Sequence, residues 1–151
     1  MKTESTGERS TQRRFQRFIK AKVNGQVMSF GRSRPELLKR TRAFALSAIR
    51  AYTNLPRTTV SQIIGKQLLR SAPSVGAQYS EAQRAKSVPD FISKSEGALQ
   101  ELEETAYWLE LMMESGVSND PSIAALRSET DQLTAILVTI VKAAKRRKVN
   151  A

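Results

Sequence analysis

Apolar residues recur at spacings of three and four along four segments of this chain, which predicts four amphipathic helices. The first helix is expected to open near Pro35 and to end before Pro56, because proline suits a helix start and disfavours helix in the residue before it. Its apolar positions are Leu37, Leu38, Phe44, Ala45, Ala48, Ile49 and Tyr52.

The second helix is predicted from about Thr58 to Lys86, with a kink at Pro73 because proline donates no backbone hydrogen bond. Its apolar positions are Val60, Ile63, Ile64, Leu68, Val75 and Tyr79.

Polar caps and glycine mark the ends of the last two helices. The third is expected to begin with Ser87 as N-cap and to end at Gly116. The fourth starts with Asn119 or Asp120 as cap and Pro121 in its first turn, and it continues through the basic C-terminal run. Its apolar positions are Ile123, Leu126, Leu133, Ile136, Leu137, Ile140 and Val141.

Four helices with short connections, no strand pattern and no repeat indicate an all-α protein, an up-down-up-down four-helix bundle. A chain of 151 residues has room for one domain. Residues 1–34 are polar and basic without a sustained period, so we expect a mostly disordered arm there. Residues 35–151 then form the bundle.

A polar row on the second helix recurs at steps of four, four and three: Arg70, Ser74, Gln78 and Glu81. Pairing the second and third helices antiparallel brings Arg70 to Glu101 or Glu104, and Glu81 to Lys94. We therefore predict a structural seam of polar residues between these two helices.

The composition removes most catalytic chemistry. There is no cysteine and no histidine, so the commonest metal ligands, thiol nucleophiles and neutral-pH bases are missing. We expect no enzymatic activity, no metal and no cofactor. A chain without cysteines or a membrane-spanning apolar run is also expected to be cytoplasmic.

The third helix is apolar on nearly all sides between Ala106 and Met113, although a bundle core buries only one stripe of a helix. This pattern favours a contact between subunits, and one wide core with scattered exposed residues remains the alternative. The predicted oligomer contact comprises Tyr107, Trp108, Leu111 and Met112.

The net charge of +11 is concentrated at the two ends of the chain. Residues 1–34 carry nine lysines and arginines against two acids, and residues 142–151 carry five against none. Basic termini favour binding to a polyanion, with solvated tails as the alternative. The predicted nucleic-acid-binding residues are Arg13, Arg14, Arg17, Lys20, Lys22, Lys142, Lys145, Arg146, Arg147 and Lys148.

Several spaced blocks within residues 35–141 resemble the four-helix-bundle family of 23S ribosomal RNA intervening-sequence proteins. The blocks are Leu55–Pro56, Gln67–Ala72, Ser74–Ala77, Glu81–Ala82, Asp90–Ile92, Glu101, Glu104–Thr105 and Trp108–Leu109.

The resemblance implies a bacterial protein without established enzymatic activity that forms homo-oligomeric rings, often pentamers. A related basic bundle is the accessory protein of diversity-generating retroelements, linked to a reverse transcriptase and its template RNA. Two functions are therefore expected. The first is RNA binding through the basic termini. The alternative is a protein-interaction adaptor, such as an accessory subunit of a reverse transcriptase.

Overall fold

Four helices in antiparallel succession make up the protein. The computed structural model describes Lys22–Val23, Gln26–Val27 and residues 30–150, with side chains from residue 34 onward. The helices are α1 (Phe30–Thr53), α2 (Thr59–Ala82), α3 (Val88–Glu114) and α4 (Pro121–Val149). Each helix packs against the next, and α4 returns to α1 through the thinnest of the four contacts. The predicted all-α, up-down-up-down bundle is confirmed.

Short connections supply the capping groups, of which the sequence predicts those of α3 and α4. The N-caps are Thr58, Ser87 and Asp120, whose side chains accept hydrogen bonds at 3.2, 3.2 and 2.8 Å from the backbone N–H groups of Ser61, Asp90 and Ser122. Gly116 has a φ of 72°, a backbone conformation that favours glycine, directly after the C-cap Ser115 of α3. These caps set the turns of the bundle.

The start of α1 differs from the prediction. The helix begins at Phe30, five residues before Pro35, which lies inside it. The missing N–H of Pro35 leaves only the carbonyl of Gly31 without its helical hydrogen bond, and that carbonyl belongs to the first turn. Proline therefore indicates the neighbourhood of a helix start but not its first residue. In α2, the helix also continues through Pro73.

A short antiparallel ladder precedes the bundle, although the sequence analysis expects no strand. Strand β1 (Lys22–Val23) pairs with β2 (Gln26–Val27), with Lys22 opposite Val27 and Val23 opposite Gln26. In sequence, the dipeptide Asn24–Gly25 lies between them and is typical of two-residue hairpins.

The core runs the length of the bundle and contains most of the predicted apolar positions. Its largest fully buried hydrophobic side chains are Leu68, Val75, Leu102, Leu109, Met112, Ile123, Leu133 and Leu137. Three residues that the helical spacing assigns to the core are instead exposed, namely Ile49, Val60 and Ile63. Each belongs to the apolar side of its helix but lies outside the part of that side that the core covers. The spacing of apolar residues alone does not define how wide the covered part is.

Candidate nucleic-acid interface

The C-terminal end of α4 presents cations to solvent because its apolar side is held against the core. Ile140, Val141 and Ala144 are all buried, with Ala144 only 2% exposed. The remaining positions of this last stretch therefore face outward. Exposed cations here are Lys142, Lys145, Arg146 and Lys148, while Arg147 is half-buried. We call the four exposed cations the α4 ridge.

A second group of cations, absent from the predicted site, lies at the same end of the bundle. Arg84 and Lys86, both exposed, occupy the turn between α2 and α3. A hydrogen bond of 2.9 Å from Arg34 Nη2 to the carbonyl of Gln83 ties this turn to the start of α1. We call Arg84 and Lys86 the turn ridge. A sequence signal existed, since both precede the Ser87 cap in a polar turn.

Two acids lie among these cations, and both have identified partners. Glu96 Oε1 lies 2.5 Å from Lys145 Nζ, which joins α3 to α4. Asp90 accepts hydrogen bonds from the backbone N–H of Lys86 at 3.1 Å and from Lys94 Nζ at 3.3 Å. The Lys86 bond is the main reason that the pKa of Asp90 lies below its ordinary value.

Positive charge is in excess around the α2–α3 turn and the C-terminus of α4. Residues 83–96 and 141–150, which form part of one end, carry eight lysines and arginines against two acids. Residues 100–131, which lead around the α3–α4 turn at the other end, carry eight acids against one arginine, Arg127. Arg127 is itself paired with Glu110 at 2.7 Å and with Asp131 at 2.5 Å. The other end also contains the α1–α2 turn with the exposed Arg50 and Arg57, so its charges are mixed, and a polyanion is attracted more strongly to the first end.

The N-terminal part of the predicted site lies outside the described side chains. Lys22 belongs to β1, and its side chain lies outside the described part of the structure. The other predicted residues of this arm lie outside the described residues altogether, and they are Arg13, Arg14, Arg17 and Lys20. The described interface therefore consists of the α4 ridge and the turn ridge, supplemented by Lys94.

The predicted seam is present around Arg70, but it lies at the surface. Arg70 Nη2 donates to Glu104 Oε1, and Arg70 Nη1 lies 3.8 Å from Glu101 Oε2. The Arg70 side chain is 52% exposed, so this ion pair is solvated and screened. Glu104 Oε1 also accepts a hydrogen bond of 3.2 Å from Trp108 Nε1. Glu101 Oε2 is buried without a hydrogen bond.

The rest of the polar row does not form the predicted contacts. The predicted pair of Glu81 and Lys94 is wrong, because Lys94 pairs with Asp90 one turn earlier on its own helix. Ser74 donates to the carbonyl of Arg70 at 2.6 Å, within α2. Gln78 packs over Gly97, whose missing side chain leaves room for its amide. Residues at positions i and i+4 of one helix are always neighbours, whereas contact between residues of two helices depends on the exact register of the pair.

The buried polar contact between α2 and α3 was missed by the sequence analysis. Ser71 and Thr105 are both fully buried, and Thr105 Oγ1 lies 2.9 Å from Ser71 Oγ. Ser71 also donates to the carbonyl of Gln67 at 3.1 Å. The only sequence signal for this contact was the small hydroxyl residue next to Arg70. A buried serine or threonine can donate its hydroxyl proton to a backbone carbonyl of its own helix.

The Arg70 pair makes a prediction for acid stability. The hydrogen bond from Arg70 is the main cause that lowers the pKa of Glu104 below its ordinary 4.5, with Trp108 adding to it. A carboxyl with a depressed folded-state pKa stabilises the fold above its unfolded-state pKa, and this stabilisation is lost as the pH falls through the folded value. We expect the melting temperature to fall less between about pH 5 and pH 3 in Glu104→Gln than in the wild type. Parallel thermal melts by circular dichroism would contradict this if both proteins lost stability equally.

One of the four residues predicted as an oligomer contact belongs to the monomer core. Met112 is fully buried within the bundle, so its assignment to a subunit contact is wrong. Tyr107 is 54% exposed and packs edge-to-face against Trp108, with ring centroids 5.0 Å apart. Leu111 is half-buried. The outer side of α3 thus keeps Tyr107, Trp108 and Leu111 at or near the surface.

Neither a metal site nor a membrane span is found in the described part of the chain. Among those residues, no three acidic side chains are grouped so that they could hold a metal ion. None of the helices there combines the length and apolarity needed to cross a bilayer.

Comparison with known proteins assigns the family. Residues 34–139 match the family model described as 23S rRNA-intervening sequence protein. The crystal structure of a protein of unknown function from the S23 ribosomal protein family of Bacteroides thetaiotaomicron is similar at 31% identity and a TM-score of 0.66. The match covers 70% of this chain and 98% of that one. No curated protein gave a significant match. The chain belongs to the 23S rRNA intervening-sequence protein family.

Proposed function

We propose that this protein is a non-enzymatic, cytoplasmic nucleic-acid-binding protein whose basic end contacts RNA phosphates. The observation that carries the proposal is the excess of positive charge in residues 83–96 and 141–150, which carry eight lysines and arginines against two acids. Exposed cations on a helix held by its buried side form a fixed phosphate-binding surface. Such contacts position the protein on a backbone without reading base sequence.

The titratable groups support a binding function over catalysis. Among the described side chains, each resolved pKa shift moves its group further from neutrality. The pKa of Glu104 is lowered by Arg70, and burial raises the pKa of Tyr79 to about 12. A general acid or base needs the opposite, a pKa close to the working pH.

Binding of RNA by the purified, nuclease-treated chain across a salt series tests the proposal. We expect the logarithm of the association constant to fall linearly with the logarithm of salt, by about 0.7–0.9 for each phosphate contact. Fluorescence anisotropy with a labelled RNA measures this slope. Absence of binding even at low ionic strength would overturn the proposed function.

Removing the acid beside the α4 ridge should strengthen binding. Glu96→Gln frees Lys145 from its 2.5 Å ion pair and deletes one negative charge at the basic end. We expect RNA affinity to rise about two- to threefold at low salt, the size of one screened charge at this range. Glu114→Gln, an exposed acid at the other end of α3, is the matched control and should change nothing. Equal gains in both variants would show that only net charge matters.

We also propose that the protein forms a homo-oligomeric ring through the outer side of α2 and α3. Ile63 is 60% exposed and lies on the same side of α2 as Arg70, two turns away. Arg70 reaches Glu104 on α3, one turn from the exposed Tyr107. Large apolar side chains around a solvated ion pair are typical of a surface that is covered in an assembly. A pentamer would repeat the basic end five times.

Light scattering after size-exclusion chromatography tests this assembly. Ile63→Glu combined with Tyr107→Glu should yield a monomer, because each copy would place two charges in the contact. Leu46→Glu combined with Ile49→Glu alters equally exposed apolar residues on α1 and should leave the oligomer intact. A monomeric wild type would overturn the assembly. Dissociation by the α1 variant alone would overturn the choice of face.

The second candidate function, a protein-interaction adaptor, is supported by the exposed apolar pair on α1. Leu46 and Ile49 are 45% and 44% exposed and lie on the outer side of the bundle. If the partner is a reverse transcriptase, co-purification should survive nuclease and moderate salt. Loss of the complex in Leu46→Glu combined with Ile49→Glu would support this function, and loss on nuclease treatment would favour RNA binding.

A further inference from the structure

The two ridges of the basic end belong to different helices and turns of the bundle. In the turn ridge, Arg84 follows the C-terminus of α2 and Lys86 precedes the Ser87 N-cap of α3, whereas Lys142 and Arg146 belong to α4. Helices α2 and α4 are diagonal, since the close helix pairs are α1–α2, α2–α3, α3–α4 and α4–α1. Neighbouring helices in a bundle are 8–10 Å apart, so their diagonal is about 12–14 Å. The turn ridge therefore begins at the helix diagonal to α4 and ends at the helix beside it, so its two cations and those of the α4 ridge form separate groups.

Base stacking is not offered by the described residues of this end. The aromatic side chains nearest the ridges, Tyr79 and Phe91, are only 3% and 4% exposed. The strongly exposed Tyr107 lies beyond the middle of α3, toward the acidic end. Proteins that hold single strands commonly stack successive bases on aromatic side chains. Phosphate contacts are what the described basic end can provide.

We propose that the ligand of the basic end is double-helical RNA, with one backbone on each ridge. This inference rests on the proposed RNA-binding function and names its substrate class. An RNA duplex holds two rows of phosphates rigidly on either side of a wide, shallow minor groove, and it is recognised mainly by shape and backbone contacts. A single strand must be ordered before it can reach both ridges, whereas the duplex presents two backbones that are already fixed. Contact with both ridges therefore selects for the duplex.

The acids near the turn ridge do not remove its charge. Asp90 is engaged by the backbone of Lys86 and by Lys94, and Glu96 is engaged by Lys145. Glu81 is exposed one turn before Arg84 and leaves the turn ridge weaker than the α4 ridge. The α4 ridge is therefore expected to bind either form of RNA, whereas the turn ridge adds affinity only when a second backbone is present.

Two double variants of the full chain separate the ridges. Arg84→Ala with Lys86→Ala removes the turn ridge, and Lys142→Ala with Arg146→Ala removes half of the α4 ridge. Arg50→Ala with Arg57→Ala is the matched control, because it deletes two exposed cations at the other end. All are tested by anisotropy against a hairpin RNA of about 16 base pairs and an unstructured RNA of equal length. Thermal melts establish that each variant is folded.

We expect the turn-ridge variant to weaken duplex binding about tenfold and to lower its salt slope by about 1.8, two contacts at 0.9 each. Its affinity for the unstructured RNA should stay within about twofold of the wild type. The α4 variant should weaken binding of both probes.

Equal effects of the turn-ridge variant on both probes, or tighter wild-type binding to the unstructured RNA, would overturn the duplex assignment while leaving RNA binding standing. Absence of wild-type binding to either probe would overturn the proposed function itself.

Discussion

Replacing Lys142 and Arg146 with glutamate is expected to weaken RNA binding by about a hundredfold at low salt, with a salt slope shallower by about two. Both side chains are exposed on the outer side of α4, one turn apart, and the buried Ala144 between them holds the helix to the core. The substitutions therefore place two negative charges where phosphates are expected, without disturbing packing. Anisotropy titrations across a salt series measure the change.

The matched control reverses two cations at the opposite end. Arg50→Glu with Arg57→Glu changes the net charge by the same amount, and both side chains are exposed. Equal losses in the two variants would mean that overall charge, and not the basic end, governs affinity. Point substitution is preferable to deleting the C-terminus, because a deletion from residue 142 would remove the buried Ala144.

Leu102→Ala is expected to reduce the free energy of unfolding by about 2–5 kcal/mol. Leu102 is fully buried in the middle of α3, the helix that packs against both α2 and α4. Truncation removes buried methyl groups and leaves a cavity that rigid neighbouring helices fill only in part. Urea denaturation followed by circular dichroism measures the loss.

Leu46→Ala provides the comparison for the same chemical change at an exposed site. Leu46 is 45% exposed on α1, so its truncation should cost about 0.5 kcal/mol or less in the monomer. A loss at Leu102 no greater than at Leu46 would contradict the assignment of Leu102 to the centre of the core. RNA affinity of Leu102→Ala below its unfolding temperature should match the wild type, because the ridges lie at the end of the bundle.

Local signals anticipated the elements and their order. Ser87 and Asp120 cap α3 and α4 with side-chain oxygens that accept hydrogen bonds. Gly116, at which the end of α3 was predicted, has a positive φ. Antiparallel pairing of α2 and α3 brought Arg70 to Glu101 or Glu104, and in the structure Arg70 donates to Glu104 and lies 3.8 Å from Glu101. Caps and hairpin register depend on residues close in sequence, which explains why they were predictable.

Side-chain partners across helices were predicted less well. Lys94 pairs with Asp90 on its own helix and not with Glu81. Met112 is buried in the core, although the helix around it is apolar on several sides. The turn ridge was overlooked because Arg84 and Lys86 are isolated in sequence from the basic C-terminal run. Only folding brings the α2–α3 turn to the same end as the last turns of α4.

The sequence by itself determined the helical class, the four helices, the caps of α3 and α4 and the excess of positive charge at the C-terminus, because spacing, capping and charge are local properties. The tertiary structure alone decided which apolar residues are covered, as Met112 is and Ile63 is not. It also decided which charges meet across helices, as Lys145 and Glu96 do. Burial and long-range pairing depend on the rotation and register of packed helices, which periodicity constrains only to within about one residue.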